Sequence, residues 1–156
     1  MISEIQGAGT SAVWGAAPEH SARAEQSQAA QQAAASDPFI AAAVEYDPRR
    51  MSMDELQAMS LELYESGAIS LKDHALLSFD WERAIKDLAD SAGTGLDTTI
   101  DGVGIDPDGE HDLIREWETR LAYRREQGMP VEDTERILGI LRQVEAKRVL
   151  GAGIVV

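Results

Sequence analysis

The sequence contains no cysteine and few aromatic residues. Without cysteine the chain cannot build a disulfide framework, a thiolate metal site or a cysteine nucleophile, and we expect a reducing compartment, the cytoplasm. Aromatic residues make up 5% of the 156 residues. Because large side chains contribute most of the buried area in a core, the core of this protein should be thin. The chain has room for one modest domain that carries an arm.

Long apolar runs are missing as well. No run approaches the roughly 20 residues that a membrane-spanning helix requires. The N-terminus also lacks the basic region and the continuous apolar region of a cleaved secretory signal. We therefore expect no membrane partner and no export by that route.

Basic residues are scarce, and the formal net charge is −14. The imbalance is concentrated in residues 51–112, which carry 3 basic and 15 acidic side chains. Residues 113–156 carry 8 basic and 7 acidic side chains. A negative field repels phosphate backbones, which argues against nucleic acid as a partner. It favours a partner protein with a basic surface. The alternative is that the acidity only keeps the chain soluble.

The first part of the chain has the composition of a disordered arm. Residues 1–45 are rich in Ala, Gln and Ser and contain few large apolar side chains, so they cannot bury enough surface to offset the entropy of ordering. Two capping boxes then predict helix starts, at Ser52 with Glu55 and at Ser70 with Asp73. We expect a first helical hairpin over residues 52–90.

A second hairpin is predicted further along the chain. The Gly-, Asp- and Thr-rich residues 91–109 should form an acidic loop. Apolar side chains then recur at helical spacing through residues 110–150, and residues 151–156 form a tail. The sequence therefore predicts an all-α domain over residues 46–150, with four to five short helices arranged as two αα-hairpins.

Apolar positions of the first hairpin are the candidate partner-binding residues. They are Leu56, Met59, Leu63, Ile69 and Leu77. Thin helical cores often gain burial by association. We therefore predict a non-enzymatic interaction or regulatory protein, which binds another protein or a second copy of itself.

The acidic loop supplies the alternative function, a calcium- or metal-binding protein that uses residues 97–112. Counted from Asp97, oxygen-bearing side chains fall at four ligand places of a calcium-binding loop, and Gly102 falls at its sharp turn. These side chains are Asp97, Thr99, Asp101 and Asp108. The eighth place holds Gly104 instead of an apolar residue, and the twelfth lacks the usual Glu. A solvated acidic loop is therefore the competing interpretation.

Other catalytic patterns are absent from the sequence. His74 and His111 are not at the spacing of a metal or hydrolase motif, and we interpret both as capping or partly buried polar residues. No Gly-x-Ser-x-Gly elbow occurs. The sequence therefore predicts no catalytic residues, no cofactor and no enzyme activity.

Three arginines cluster on the predicted third helix, at Arg120, Arg124 and Arg125. Glu116 precedes Arg120 by four residues, in the orientation that stabilises a helix. The pattern predicts a salt-bridged helix surface. The alternative is that these arginines dock onto the acidic middle segment of the same chain.

The stretch from Leu61 to Asp73 carries Gly67, Ile69 and Ser70 between two helical patterns, and it resembles SHOCT modules, which are short oligomerisation hairpins. The wider pattern from Tyr46 to Phe79 is similar to small helical proteobacterial proteins, some of them associated with flagellar genes. These resemblances imply an oligomerising interaction protein linked to bacterial motility or type III secretion.

Overall fold

The computed structural model describes residues 37–93, 99–104 and 106–153, together with the isolated positions Glu25 and Gln28. The three ranges contain six α-helices and a two-stranded sheet. In chain order these are α1 Pro38–Glu45, α2 Met53–Glu65, α3 Leu71–Ser78, α4 Trp81–Ala92, β1 Thr99–Ile100, β2 Val103–Gly104, α5 Leu113–Glu126 and α6 Glu132–Ala152. The mostly helical fold confirms the predicted class, but the helices are more numerous than the four to five expected.

Helices α2 and α3 begin where the capping boxes predict. The Ser52 hydroxyl accepts a hydrogen bond from the Glu55 amide, and the Glu55 carboxylate accepts one from the Ser52 amide at 2.7 Å. Ser70 and Asp73 repeat this arrangement at α3. Gly67, between the two helices, has a φ of 76°, which favours glycine.

Helix α1 lies inside the stretch predicted to be a disordered arm. Asp37 caps it by accepting a hydrogen bond from the Phe39 amide at 2.9 Å, and Pro38 occupies the first turn, where its missing N–H is not needed. The small side chains of Ala42 and Ala43 are buried where α1 packs against α6 and α2. The arm prediction therefore does not hold for residues 38–45, and nearly all of its remainder lies outside the described residues.

The hydrophobic core is centred on α6, which contacts α1, α3 and α5, while α2 packs against α3. The buried hydrophobic residues are Ala42, Ala43, Met51, Leu56, Met59, Leu63, Ile69, Leu77, Leu113, Ile114, Leu121, Ile137, Leu138, Ile140, Leu141 and Val144.

A second difference from the prediction lies at the end of α3. The chain leaves the helical conformation at Phe79 and begins α4 only after Asp80, which caps it.

The predicted acidic loop contains a β-hairpin. Strand β1 pairs antiparallel with β2, with Ile100 opposite Val103. The two residues between the strands, Asp101 and Gly102, have φ values of 48° and 81°. Asp-Gly is a preferred pair for a tight hairpin turn with two left-handed residues. The loop prediction is corrected at these positions, and the sequence signal for the hairpin was the Asp-Gly pair itself.

A short backbone pairing fixes the start of α5. Met51 and His111 exchange two backbone hydrogen bonds, at 3.2 and 2.9 Å, and the Leu113 amide donates to the Pro48 carbonyl at 2.9 Å. This pairing holds His111 against the segment that leads into α2.

Asp73 should make the stability of the protein sensitive to acid. Burial alone would raise the pKa of this carboxyl, but hydrogen bonds from Ser70 and the Arg136 guanidinium hold the pKa below its ordinary value of 3.8. A depressed pKa stabilises the fold above pH 3.8, and the stabilisation is lost as the pH falls through the lower folded-state value. We expect Asp73→Asn to lower the free energy of unfolding by about 1–2 kcal/mol near neutral pH.

Urea unfolding of the two proteins at neutral pH and below pH 3.8 measures this effect. The difference between wild type and D73N should shrink in acid. Asp87→Asn, which changes an exposed carboxylate on α4, is the control. It should leave the free energy of unfolding nearly unchanged at both pH values. An equal D73N deficit at both pH values would show that the charge of Asp73 is not what stabilises the fold.

Candidate functional site

Helix α4 is attached to the body of the protein through a buried carboxylate. Asp80 caps the helix by accepting a hydrogen bond from the Arg83 amide at 2.8 Å. Glu82, in the first turn, is the one buried residue of α4, and its side chain is 4% exposed. Its Oε2 accepts a hydrogen bond from the Asp106 amide at 2.7 Å. A carboxylate therefore occupies the position where an apolar anchor would be expected.

The start of α5 supplies the partners of Glu82. Asp112 caps this helix by accepting a hydrogen bond from the Arg115 amide at 3.0 Å. Glu116 is the next residue after Arg115. Nδ1 of His111 lies 2.8 Å from Oε1 of Glu116, and Nε2 of His111 lies 4.0 Å from Oε2 of Glu82. The imidazole therefore lies between two carboxylates.

Arg120 completes this group, one helical turn after Glu116. Its guanidinium lies 3.6 Å from Oε1 of Glu82 and 4.0 Å from Oε2 of Glu116. The guanidinium carbon is 5.0 Å from the centre of the Trp117 ring, a cation–π distance. Burial lowers the pKa of Arg120 from its ordinary value, yet a guanidinium keeps its charge in proteins. The predicted surface salt bridge from Glu116 to Arg120 is thus a loose contact within a buried group.

We call Glu82, His111, Glu116 and Arg120 the buried charge cluster. The hydrogen bond to Glu116 raises the pKa of His111 above its ordinary value, while burial acts in the opposite direction. Three buried atoms of the cluster have no hydrogen-bond partner among the described residues: His111 Nε2, Glu116 Oε2 and Arg120 Nε. A cavity of about 20 Å³ adjoins the cluster and has room for a water molecule. Chemically, the cluster can bind a cation or hold α4 in place.

A neighbouring side of α4 carries exposed and half-buried apolar side chains. Trp81, Ile85 and Leu88 follow the i, i+4, i+7 spacing of one helix face. Trp81 is 49% exposed, Leu88 is 61% exposed and Ile85 is half-buried. The ring of Phe79, also exposed, lies 4.3 Å from that of Trp81. We call these four residues the α4 face.

A groove of about 280 Å³ begins at Trp81. Leu76, Ile100 and Trp117 supply apolar walls, and Arg124 lies at its polar side, paired with Asp101 at 2.5 Å. The groove extends the apolar surface of the α4 face towards α5.

The five predicted partner-binding residues are all buried. Leu56, Met59, Leu63, Ile69 and Leu77 are between 0% and 8% exposed and belong to the hydrophobic core. They pack α2 and α3 together and onto the rest of the fold. A partner would contact them only after this hairpin had opened.

The predicted calcium ligands have other roles or are not described. Asp97 lies outside the described residues, and Thr99 is part of β1. Asp101 forms the hairpin turn and pairs with Arg124, while Asp108 pairs with Arg83 at 3.3 Å. Within the described part of the chain, the one group of His and acidic side chains with converging ligand atoms is Glu82, His111 and Glu116.

The remaining sequence candidates lie in separate environments. His74 shares a hydrogen bond of 2.9 Å with Ser60 and stacks on Tyr64, and so is partly buried and polar as predicted. Arg125 pairs with the exposed Glu135 at 2.6 Å.

Glu82 was not predicted, because its side-chain partners lie 29 to 38 residues further along the chain. A usable signal was present on α5. Glu116 and Arg120 flank Leu113 and Trp117 on the helix, so they border its apolar stripe rather than lie opposite to it.

Among the described helices, none combines the length and the apolar character that crossing a membrane would require. No family model, curated protein or solved structure matches this chain.

Proposed function

We propose that this protein is a non-enzymatic interaction protein that binds a partner protein through the α4 face. The observation that carries the proposal is the exposure of Trp81 and Leu88, with the half-buried Ile85 beside them, on a helix whose one buried residue is a carboxylate. An amphipathic helix normally buries its apolar side against its own domain. Contiguous exposed apolar surface of this kind is typical of binding sites.

The charge around α4 indicates the kind of partner. Both basic side chains of the helix are already paired, Arg83 with Asp80 and Asp108, and Lys86 with Asp90. Asp87 adds an exposed carboxylate, and the whole stretch of residues 51–112 is strongly acidic. We therefore propose as the occupant a basic amphipathic segment of another protein, which would place apolar side chains on the α4 face and Lys or Arg at its rim.

Leu88→Asp should weaken partner capture. Burial of a leucine side chain contributes about 1.5–3 kcal/mol, and each 1.4 kcal/mol is about a tenfold change in affinity. We expect at least a tenfold loss when tagged wild-type and L88D proteins are used to capture partners from the cells that produce the protein. The captured partner is then purified and its affinity measured by calorimetry at low and high salt, where a basic partner should bind more weakly at high salt.

Leu71→Asp is the matched control. Leu71 and Leu88 are equally exposed, at 61%, but Leu71 lies at the start of α3, where an acidic residue is well tolerated. The proposal requires L71D to retain binding. Equal loss in L71D and L88D, or undiminished binding by L88D, would contradict it.

Self-association is the competing form of the interaction. Sedimentation velocity of the wild type and L88D proteins distinguishes the two. A wild-type dimer that L88D converts to a monomer would identify a second copy of this chain as the occupant of the α4 face. The role in bacterial motility or type III secretion stays a prediction of the sequence resemblance.

A further inference from the structure

The buried charge cluster brings together three side chains of the kinds that bind metal ions. One potential ligand atom from each of Glu82, His111 and Glu116 lies within 4.8 Å of the other two. Glu82 and His111 have side chains that are 4% exposed, and Glu116 is 19% exposed. The group therefore consists of a buried carboxylate, a buried imidazole and a partly buried carboxylate, and is not a solvated acidic patch.

The imidazole also has an atom without a partner. Nε2 of His111 is buried, has no partner at hydrogen-bond geometry among the described residues, and lies 4.0 Å from Oε2 of Glu82. The backbone of Asp106 also interacts with this imidazole. A buried polar atom left unpaired costs free energy that a ligand would recover. The second oxygen of Glu116, Oε2, is buried and unpaired as well. Two of the three side chains thus have coordination capacity that the fold leaves unused.

The other ring nitrogen is oriented as in many metal sites. Nδ1 of His111 lies 2.8 Å from Oε1 of Glu116. Metal-binding histidines commonly donate one ring N–H to a carboxylate, which fixes the ring and leaves the other nitrogen free for the ion. A cavity of about 20 Å³, lined mostly by apolar side chains but also by Glu82 and Glu116, adjoins the two carboxylates and has room for one water molecule.

We infer that Nε2 of His111 and Oε2 of Glu82 bind one divalent transition-metal ion, with zinc as the best match, while Glu116 orients the imidazole through Nδ1. Imidazole nitrogen together with carboxylate oxygen suits zinc, whereas calcium and magnesium prefer all-oxygen sites. Zinc bonds of about 2.0–2.2 Å require Nε2 and Glu82 Oε2 to approach each other by a few tenths of an ångström. The nearby Arg120 guanidinium opposes a second cation, so the affinity should be moderate.

Zinc titration of the metal-stripped full chain tests the inference. Calorimetry should show one zinc ion bound per chain, and cobalt, used as a coloured probe, should give visible absorption from a site of low coordination number. Glu82→Gln and His111→Gln should each weaken zinc binding at least tenfold. His74→Gln, which removes a histidine from another environment, should leave binding unchanged. No binding of zinc by the wild type, or unaltered binding in both E82Q and H111Q, overturns the inference.

A second readout covers the case in which a variant fails to fold. Zinc should raise the melting temperature of the wild type and of H74Q, because a ligand that binds only the folded state stabilises it. Calcium at the same concentration should not raise the melting temperature. Absence of a zinc-specific rise in both proteins would also overturn the inference, and neither result depends on the α4 face.

Discussion

Replacement of Arg120 by leucine should lower the free energy of unfolding by about 3 kcal/mol. The substitution keeps an apolar stem on α5 but leaves the buried Glu82 and the partly buried Glu116 without the guanidinium that lies 3.6 and 4.0 Å from them. Removing one partner from a buried ionic group leaves an uncompensated charge, which costs far more than the pair itself contributes. Since Glu82 is the buried anchor of α4, that helix should lose order first.

Urea unfolding followed by circular dichroism measures the Arg120→Leu effect. Arg142→Leu is the matched control, because Arg142 pairs with Glu118 at the surface, where both side chains are about half exposed. An exposed pair contributes at most about 1 kcal/mol. If R120L were no less stable than R142L, the buried charge cluster would have no role in holding the fold.

Leu141→Ala should destabilise the protein by about 2–5 kcal/mol. Leu141 is fully buried on α6, the helix that contacts α1, α3 and α5. Truncation removes buried apolar surface and leaves a cavity that neighbouring helices can fill only in part. In a core with so few aromatic side chains, each large aliphatic residue should carry a greater share of the stability.

Leu150→Ala, on the same helix, provides the comparison. Leu150 is 65% exposed, and alanine is at least as good a helix former as leucine, so its effect should stay within about 0.5 kcal/mol. Chemical denaturation of both variants gives the two free energies. Similar losses for L141A and L150A would mean that α6 is not the centre of the core.

Local signals in the sequence were sufficient for the two capped helices. The hydroxyl and carboxylate pairs at Ser52–Glu55 and Ser70–Asp73 act within one turn, so the chemistry that starts each helix is readable from adjacent residues. The alanine-rich α1 was not predicted, because its helix is stabilised by contact with α6, about a hundred residues away in sequence. Composition alone does not reveal such a contact.

The candidate site was readable only in part for a similar reason. Glu82 has an ordinary place in an amphipathic helix, and only the fold brings it to His111 and Arg120. The apolar spacing of Trp81, Ile85 and Leu88 was visible in the sequence, but periodicity does not tell whether a stripe faces the core or a partner. On α2 the stripe is buried, and on α4 it is largely exposed.

Surface labelling of the free protein and of its purified native complex tests the central claim, that the α4 face is where a partner binds. A photogenerated carbene should label Trp81, Leu88 and Leu71 in the free chain, since all three are exposed. In the complex we predict that labelling of Trp81 and Leu88 falls sharply while that of Leu71 is unchanged. Undiminished labelling of Trp81 and Leu88 in the complex, with protection elsewhere on the surface, would contradict the account.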